Sequence, residues 1–367
     1  MKAVVVVAAV LAGSVLLAGC GAAPPPAPPS PGPSGESAPA SPSGPASASP
    51  PGSPPGSAAV PVELALAFGG DVHFTERTAG LLKDPATAVG PMAEVLSAAD
   101  LAVVNLETAV TTRGTPEPKE FHFRAPVTAY DAVKAAGIDA VSIANNHALD
   151  YGRVGFADTL DGAAAKGMPV FGGGRTIDDA YAPLILTARG VRVAILGFSQ
   201  IHTLAESWKA GPATPGIALA WDVPRAVAAV KAARERADVV VVFNHWGTER
   251  ESCPNADQKT FAAALAGAGA DMIIGAHAHV LQGDGWLGRT YVAYGLGNFV
   301  WYVGSADTGV LKVRVRGRDV VGADLLPAVV SGNGQPRPLT GTSAAAATKR
   351  FTDLRRCTGL APAPPAA

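Results

Sequence analysis

Histidine, carboxylate and asparagine side chains occur in five short clusters of this sequence, each directly after an apolar run. Side chains of these types are the usual protein ligands of transition metals. The clusters are residues 70–73, 105–107, 145–147, 244–247 and 275–279. Because ligands of open α/β sheets bind at the carboxyl ends of strands, we expect the clusters to converge on one crevice. The sequence therefore predicts a dinuclear metal site.

The first two clusters supply the carboxylates. Asp71 and His73 are two positions apart, so in an extended segment both side chains project to the same side and can reach one cation. The alternative is a turn-capping Asp71 and a surface His73. Glu107 follows a buried run, where a carboxylate is unfavourable unless paired or metal-bound, and its two oxygens can bridge two cations. The alternative for Glu107 is a turn that caps a helix.

The third cluster combines an amide ligand with a candidate acid. The side-chain oxygen of Asn146 can bind a cation without adding charge. The neighbouring imidazole of His147 can donate a proton to a leaving group, and Asp150 is placed to orient that imidazole. We therefore predict His147 and Asp150 as catalytic residues.

The last two clusters supply imidazoles. His245 ends one apolar run, and His277 and His279 form a His-x-His pair at the end of another. Same-side projection in an extended chain makes such a pair a good chelate. A lone histidine at a strand end is more often a satisfied core residue, but the small residues around this pair favour metal binding.

Two further polar residues are candidates for substrate contacts. Arg124 lies in a predicted loop and can hold a phosphate or carboxylate bidentately, although a packed, solvated hairpin explains it equally well. Asn298 follows a predicted strand and is expected to contribute a polar contact to the pocket floor. The remaining histidines, His122 and His202, are assigned no role.

The body of the chain, residues 62–330, alternates strand-like and helix-like segments, which predicts an α/β domain with a largely parallel sheet. Predicted helices are residues 127–136, 154–166, 224–236 and 257–267. Predicted strands are residues 64–68, 101–104, 140–143, 191–197, 239–243, 272–274, 290–294, 310–315 and 320–325. Because helices do not separate the last three strands, we expect an antiparallel portion or a second sheet there.

The N-terminal residues indicate export. Residues 1–20 have a basic start, an apolar stretch and the ending Leu-Ala-Gly-Cys, which resembles a lipobox and predicts lipidation of Cys20; an ordinary signal peptide is the alternative. Residues 21–60 are nearly all Pro, Ser, Ala and Gly and predict a disordered linker. We expect residues 331–367 to be a partly disordered extension. The predicted location is extracytoplasmic, on a lipid anchor in the cell membrane.

The net charge argues against nucleic-acid binding, and the cysteine content allows one disulfide. The formal net charge of −1 provides no field for binding nucleic acid. Cys253 and Cys357 are the cysteines beyond Cys20. In an oxidising compartment they can pair, and two unrelated buried thiols are the alternative.

Taken in chain order, these segments resemble the CapA-type poly-γ-glutamate capsule biosynthesis family, which is similar to calcineurin-like metallophosphoesterases. The resemblance covers the body from about residue 64 to residue 300. Its most specific pieces are Asn-Leu-Glu-Thr at 105–108, the Asn-Asn-His segment at 144–152, His-Trp-Gly-x-Glu at 245–249 and Gly-Ala-His-x-His at 275–279.

The resemblance implies a four-layer α/β/β/α sandwich that holds two divalent cations, Mn, Fe or Zn. Asp71 and His279 would bind the first metal, and Asn146, His245 and His277 the second. Glu107 stands where the phosphoesterases use a bridging Asp, and His147 matches the catalytic imidazole. His73 completes an Asp-x-His pattern, which implies a fuller ligand set.

The leading hypothesis for function is a surface-anchored, metal-dependent hydrolase of capsule or envelope polymer metabolism, in which water activated by the metals attacks a phosphoester or amide. The expected partners are an anionic polymer or phosphoester substrate and capsule synthesis or export proteins. The alternative is a non-catalytic component that uses metals to bind or export poly-γ-glutamate.

Overall fold

A computed structural model describes residues 62–303 and 306–366. The predicted signal peptide, Cys20 and the linker lie outside the described residues. Within the described ranges, no helix is both long enough and apolar enough to cross a membrane.

The strands alternate with helices in the first two thirds of the described chain and then follow one another directly. The strands are β1 (Glu63–Val72), β2 (Leu101–Leu106), β3 (Ala109–Val110), β4 (Arg124–Ala125), β5 (Ala140–Ser142), β6 (Val170–Phe171), β7 (Gly173–Gly174), β8 (Leu184–Ala188), β9 (Val191–Ser199), β10 (Gly216–Ile217), β11 (Val239–Trp246), β12 (Met272–His277), β13 (Leu281–Leu287), β14 (Thr290–Leu296), β15 (Asn298–Val300), β16 (Asp307–Arg316), β17 (Asp319–Val330) and β18 (Pro336–Pro338).

The helices have small, Ala-rich faces that pack on the sheets. They are α1 (Ala93–Ser97), α2 (Thr128–Ala135), α3 (Gly152–Lys166), α4 (Ile177–Tyr181), α5 (Ala205–Trp208), α6 (Val223–Arg236), α7 (Ala256–Ala268) and α8 (Gly341–Asp353). Short 3₁₀ helices span Glu76–Lys83, Pro85–Thr87, Gly90–Met92 and Leu354–Cys357. Helix α7 begins with a capping box, in which the Asn255 side chain accepts from the backbone of Gln258 and the Gln258 side chain accepts from the backbone of Asn255.

The first sheet has the strand order β18-β17-β16-β1-β2-β5-β6, with β15 beside the end of β1. Strands β1, β2, β5 and β6 run parallel, whereas β16, β17 and β18 are antiparallel. The sheet therefore joins a parallel half to an antiparallel half at β1, which confirms the expected change of pattern late in the chain.

The second sheet has the order β13-β14-β12-β11-β9-β8. Its central strands are parallel and its two edge pairs are antiparallel. Every residue of β11 is buried, as expected for a Val-rich parallel strand covered on both faces.

Alternate residues of the strands belong to different hydrophobic layers. In β11, Val241 and Phe243 pack in the same cluster as Leu66 of β1, which lies between the two sheets. The intervening Val240 and Val242 pack instead with residues of α6 and α7. A third cluster joins the other face of the first sheet to α1, α2 and α3. The layers are therefore α/β/β/α, which confirms the predicted sandwich.

The structure contains all the predicted helices and strands but extends several strands farther toward the clusters. Strand β1 continues to Val72, β11 to Trp246 and β12 to His277, so these polar residues belong to the strand ends themselves. The apolar pattern alone does not predict these longer strands, because it ends where the polar residues begin. Those polar side chains can lie in buried strand ends because they pair with one another.

Residues 331–366 differ from the expected partly disordered extension. Strand β18 adds to the first sheet, and α8 follows it. Arg355 forms an ion pair with Asp284 of β13 at 2.8 Å, and the backbones of Trp286 and Ala361 exchange two hydrogen bonds. Cys253 and Cys357 form a disulfide, which decides the alternative left open by the sequence. These contacts offset the ordering entropy of an Ala- and Pro-rich segment.

Candidate metal centre

Both sheets contribute to the candidate centre, each from the carboxyl ends of neighbouring parallel strands. Asp71 ends β1 and is in register with Asn105 of β2. His245 lies beside Ala276, and Trp246 beside His277, in β11 and β12. Because His245 follows Phe243 by two residues, its side chain continues the row that faces the other sheet. The five clusters thus converge as predicted.

Asp71 is held by polar groups from both sheets. Its side chain is fully buried, Oδ1 accepts from Nδ2 of Asn105 at 2.8 Å, and Oδ2 accepts from the backbone N–H of His277 at 3.1 Å. Nδ1 of His279 lies 3.5 Å from Oδ2. Burial opposes ionisation, but His279, His245 and Asn105 together outweigh it, and the pKa of Asp71 lies below its ordinary value. Asp71 is therefore held as a carboxylate.

Glu107 is a buried carboxylate without a hydrogen-bond donor. Its side chain is fully buried, and neither carboxylate oxygen has a hydrogen-bond partner within the described residues. Oε1 lies 3.3 Å from Nε2 of His245 and 3.9 Å from Nε2 of His147. Burial and the negative charge of Asp71 raise its pKa well above the ordinary value. A divalent cation supplies the positive charge that such a carboxylate lacks, so this residue fits a metal ligand.

Two imidazoles face each other beside Glu107. Nδ1 of His277 lies 3.1 Å from Nε2 of His245, and Oδ1 of Asn146 lies 2.6 Å from that same Nε2. Burial lowers the pKa of His245 to about 3 and the pKa of His277 well below its ordinary value. Neutral imidazole is the form that binds a metal, so both rings are prepared for this role.

The acidic and histidine side chains form two overlapping groups in which single ligand atoms lie within 4.8 Å of one another. One group contains Asp71, Glu107 and His245, and the other contains Glu107, His277 and His279. Glu107 is common to both, as a bridging ligand must be. By these distances His279 belongs with His277, whereas the resemblance implies that His279 shares a metal with Asp71. Both Asp71 and His277 lie close to His279.

His277 at the end of β12 and His279 just after it both have an unusual backbone conformation. His277 has φ 90° and His279 has φ 58°; positive φ is uncommon for residues other than Gly, although His is among the types enriched there. Strain of this kind persists only where surrounding contacts hold it. Here the His277 N–H donates to Asp71, and Nδ1 of His279 lies 2.9 Å from Oδ1 of Asn298. Burial opposes protonation of His279, but its contact with Asp71 and the charge of Glu107 raise the pKa to about 9.

The candidate acid and its orienting carboxylate are in contact. Nδ1 of His147 lies 2.6 Å from Oδ2 of Asp150, which leaves Nε2 on the side of Glu107. The Asp150 oxygens also accept from the backbone N–H of Phe123 at 2.5 Å and from Nζ of Lys119 at 2.6 Å. Burial raises the pKa of Asp150 to about 6, although the charge of Lys119 opposes the rise. This contact is the one that the predicted orienting role of Asp150 requires.

His73 lies in an aromatic stack and belongs to neither ligand group. Its ring stacks on Phe123 with centroids 4.4 Å apart and meets the edge of Trp301 at 4.2 Å. Nδ1 accepts from the backbone of Thr75 at 3.1 Å, and the buried Nε2 has no partner among the described residues. Phe123 also stacks on His147 at 3.9 Å. His73 therefore packs on Phe123, which separates it from the ring of His147.

A cavity of about 180 Å³ opens beside the centre. His147, His279 and the predicted Asn298 line it, together with aromatic rings that include Trp301, and with Arg250. Arg124 does not line this cavity. Its guanidinium stacks 3.3 Å over the ring of Tyr151 and donates to the backbone carbonyl of Arg113. In this position Arg124 makes packing contacts within the protein and does not reach the cavity.

Sequence reasoning missed residues that support the site without bearing a metal. Asn105 connects Asp71 and His245, since its Nδ2 lies 2.8 Å from one and 3.1 Å from the other. Lys119 reaches Asp150 from a loop that carries little pattern. The signal for Asn105 is its position two residues before Glu107 at a strand end; for Lys119 the sequence offers none.

Comparisons with known proteins agree with the motifs. The family described as bacterial capsule synthesis protein PGA_cap matches residues 65–302. The PGA biosynthesis protein CapA of Bacillus subtilis is 34% identical over 217 residues, which cover 58% of this chain and 56% of that protein. The capsule biosynthesis protein CapA of Bacillus anthracis is 32% identical over 226 residues, 60% of this chain and 55% of that protein.

The match therefore spans little more than half the length of these relatives. Among solved structures, a phosphatase from Mycoplasma pneumoniae is 14% identical, with a TM-score of 0.47 over 73% of this chain and 94% of that one. Since the family match covers most of the described body, including all five clusters, the chain belongs to the bacterial capsule synthesis family PGA_cap.

Proposed function

We propose that this protein is a metal-dependent hydrolase that binds two divalent cations, Mn, Fe or Zn, and acts in the metabolism of a poly-γ-glutamate capsule or another envelope polymer. The observation that carries the proposal is the carboxylate of Glu107. It is fully buried, has no hydrogen-bond donor in the described residues and belongs to both candidate ligand groups. Because burial raises the pKa of this carboxyl group, it ionises readily only with a cation beside it.

The residues that would bind the cations are distinct from the residue that would act as the proton donor. The residues that would hold the cations are Asp71, Glu107, Asn146, His245, His277 and His279. Bound cations of this class polarise a phosphoryl or carbonyl oxygen and activate water. Asp150 accepts from Nδ1–H of His147, so that Nε2 can take a proton from water and, as the imidazolium, pass it to the leaving group at the cavity.

The cavity offers an anionic group one cationic contact, Arg250, beside the acidic Glu249. It has aromatic walls and lies directly beside His147 and His279. The names of the relatives refer to PGA biosynthesis and capsule biosynthesis, and for this reason we propose poly-γ-glutamate as the polymer. The bond attacked is a phosphoester or the amide of such a polymer.

We further propose that the domain works outside the cell membrane, attached through a lipid on Cys20 and separated from the membrane by residues 21–60. The lipobox-like ending at Cys20 and the Pro-rich composition that follows support this placement. The disulfide between Cys253 and Cys357 is compatible with an oxidising compartment.

The test uses the full-length protein loaded with Mn²⁺ or Zn²⁺ and offered phosphomonoesters, phosphodiesters and γ-linked glutamate polymer. We expect stoichiometric metal and turnover of one substrate class, both lost in His277→Ala. The matched control is His202→Ala, because His202 is exposed and stacks on Trp221 far from the ligand groups. Polymer binding without any turnover would assign the non-catalytic role, and a purified protein that binds no metal would refute both.

A further inference from the structure

Lys119 is a cation buried inside the protein. Its side chain is only 7% exposed, and its ammonium group lies 5.0 Å from the centroid of the Trp208 ring. An ammonium group can only donate hydrogen bonds, and burying it is unfavourable unless acceptors surround it. The acceptors are Oδ1 of Asp150 at 2.6 Å and the backbone carbonyl of Asn146. Nζ also lies 3.2 Å from Nδ1 of His147, which is farther than the 2.6 Å between that Nδ1 and Oδ2 of Asp150. The charge is therefore placed against the turn that carries His147.

Asp150 uses its two oxygens for different partners. Oδ1 accepts from Lys119, whereas Oδ2 faces Nδ1 of His147 and accepts from the backbone N–H of Phe123. Lys119 and Phe123 belong to one loop, and each donates to a different oxygen of Asp150. That loop therefore fixes the rotation of the carboxylate. A carboxylate held in this way accepts the Nδ1 proton of the imidazole and turns Nε2 toward Glu107.

We propose that Lys119 is a positioning residue, which holds the Asp150 carboxylate so that His147 keeps its proton on Nδ1 and presents Nε2 to the cavity. The catalytic meaning of this arrangement rests on the proposed function, but the arrangement itself does not. Lys119 does not line the cavity, so its effect on a substrate passes through Asp150 and His147.

The direct test is a spectroscopic signature of the short hydrogen bond between His147 and Asp150. In full-length protein with ¹⁵N-labelled histidine, metal-free and Zn²⁺-loaded, we expect a protected, downfield Nδ1–H signal that disappears in His147→Gln. In Lys119→Met this signal should shift and broaden through exchange with solvent. The matched control is Lys349→Met, which removes an exposed lysine from an ion pair with Asp353 of similar length.

The second readout is kinetic. Lys119→Met should lower kcat by about 10- to 100-fold with little change in KM, because it disturbs the ring and leaves the cavity lining intact. A folded Lys119→Met protein with an unchanged Nδ1–H signal would overturn the proposal. If that variant does not fold, the wild type still decides, since absence of a protected Nδ1–H signal refutes the arrangement. Should no substrate be turned over, the proton signal stands apart from the failure of the proposed function.

Discussion

The carboxylate of Glu107 lies 3.3 Å from Nε2 of His245, and both side chains are buried. One comes from the end of the first sheet and the other from the end of the second. A carboxyl group with a raised pKa and a neutral ring therefore meet where the two sheets converge, and a cation that binds both would connect the sheets.

Replacing the bridging carboxylate should remove the response to metal. In Glu107→Gln we expect fewer bound metal equivalents and no rise in the free energy of unfolding on adding Mn²⁺ or Zn²⁺. In the wild type, metal at 100 times its Kd should raise that free energy by about 2.7 kcal/mol. Elemental analysis and chemical denaturation measure the two effects. Glu235→Gln, an exposed change in α6, is the control, and two retained metal equivalents in Glu107→Gln would contradict the prediction.

Removing the partner of His279 should weaken metal binding without removing a ligand. Asn298→Ala deletes the oxygen that lies 2.9 Å from Nδ1 of His279. The ring then loses the contact that orients it, and we expect metal affinity to fall by about 10- to 100-fold. Competition with a chelating dye measures this affinity. Asn333→Ala, in an exposed turn, should leave it unchanged; equal affinities in both variants would show that Asn298 has no orienting role.

The end of β11 was predictable because its apolar run and the alternation of side chains along a strand indicate the same face. The run 239–243 indicates a buried parallel strand, and His245 follows Phe243 at the spacing of two that keeps a side chain on one face. The same spacing does not place Asp71 and His277, because the register of β1 shifts between Phe68 and Asp71 and the backbone of His277 has φ 90°. For these two residues, only residue type and position at a strand end predicted the convergence. The alternation along β11 also explains why the layer order of the sandwich could be predicted from sequence.

The supporting contacts could not be predicted, because they join segments far apart in the chain. Lys119 and Asp150 are 31 residues apart, and the loop that carries Lys119 has no periodic pattern. His73 has the spacing of a ligand, but stacking on Phe123 and Trp301 holds its ring outside the ligand groups. Arg124 likewise has a suitable side chain for anions, and its position over Tyr151 depends on the fold.

A close approach of backbones makes Gly275 irreplaceable. A Cβ at this position would lie 1.9 Å from the carbonyl oxygen of Tyr294 and 2.3 Å from Nε1 of Trp246. We expect Gly275→Ala to lower the free energy of unfolding by on the order of 3 kcal/mol. Gly267→Ala is the matched control, because a Cβ there meets no atom within 4 Å, and in α7 it should stabilise by about 0.5–1 kcal/mol. Urea denaturation measures both, and equal stabilities would refute the predicted clash.

The disulfide should contribute substantially to stability. Cys253 and Cys357 are 104 residues apart, and closing a loop of this length restricts the unfolded chain. We expect the double variant Cys253→Ser, Cys357→Ser to lose about 2–4 kcal/mol in urea denaturation. A reductant should bring the wild type to the same midpoint and leave the double variant unaffected. If reductant shifts both proteins equally, the effect does not come from this bond.

The same disulfide imposes an order on the maturation of the protein. Cys253 follows Glu249 and Arg250, which line the cavity, whereas Cys357 lies in the last turn of the C-terminal segment. Because Cys357 is synthesised 104 residues after Cys253, the cavity loop keeps a free thiol until that later cysteine has been added. The cavity wall is therefore covalently fixed only after every candidate ligand has been made, and a chain that stops before residue 357 can contain every ligand yet never form this bond.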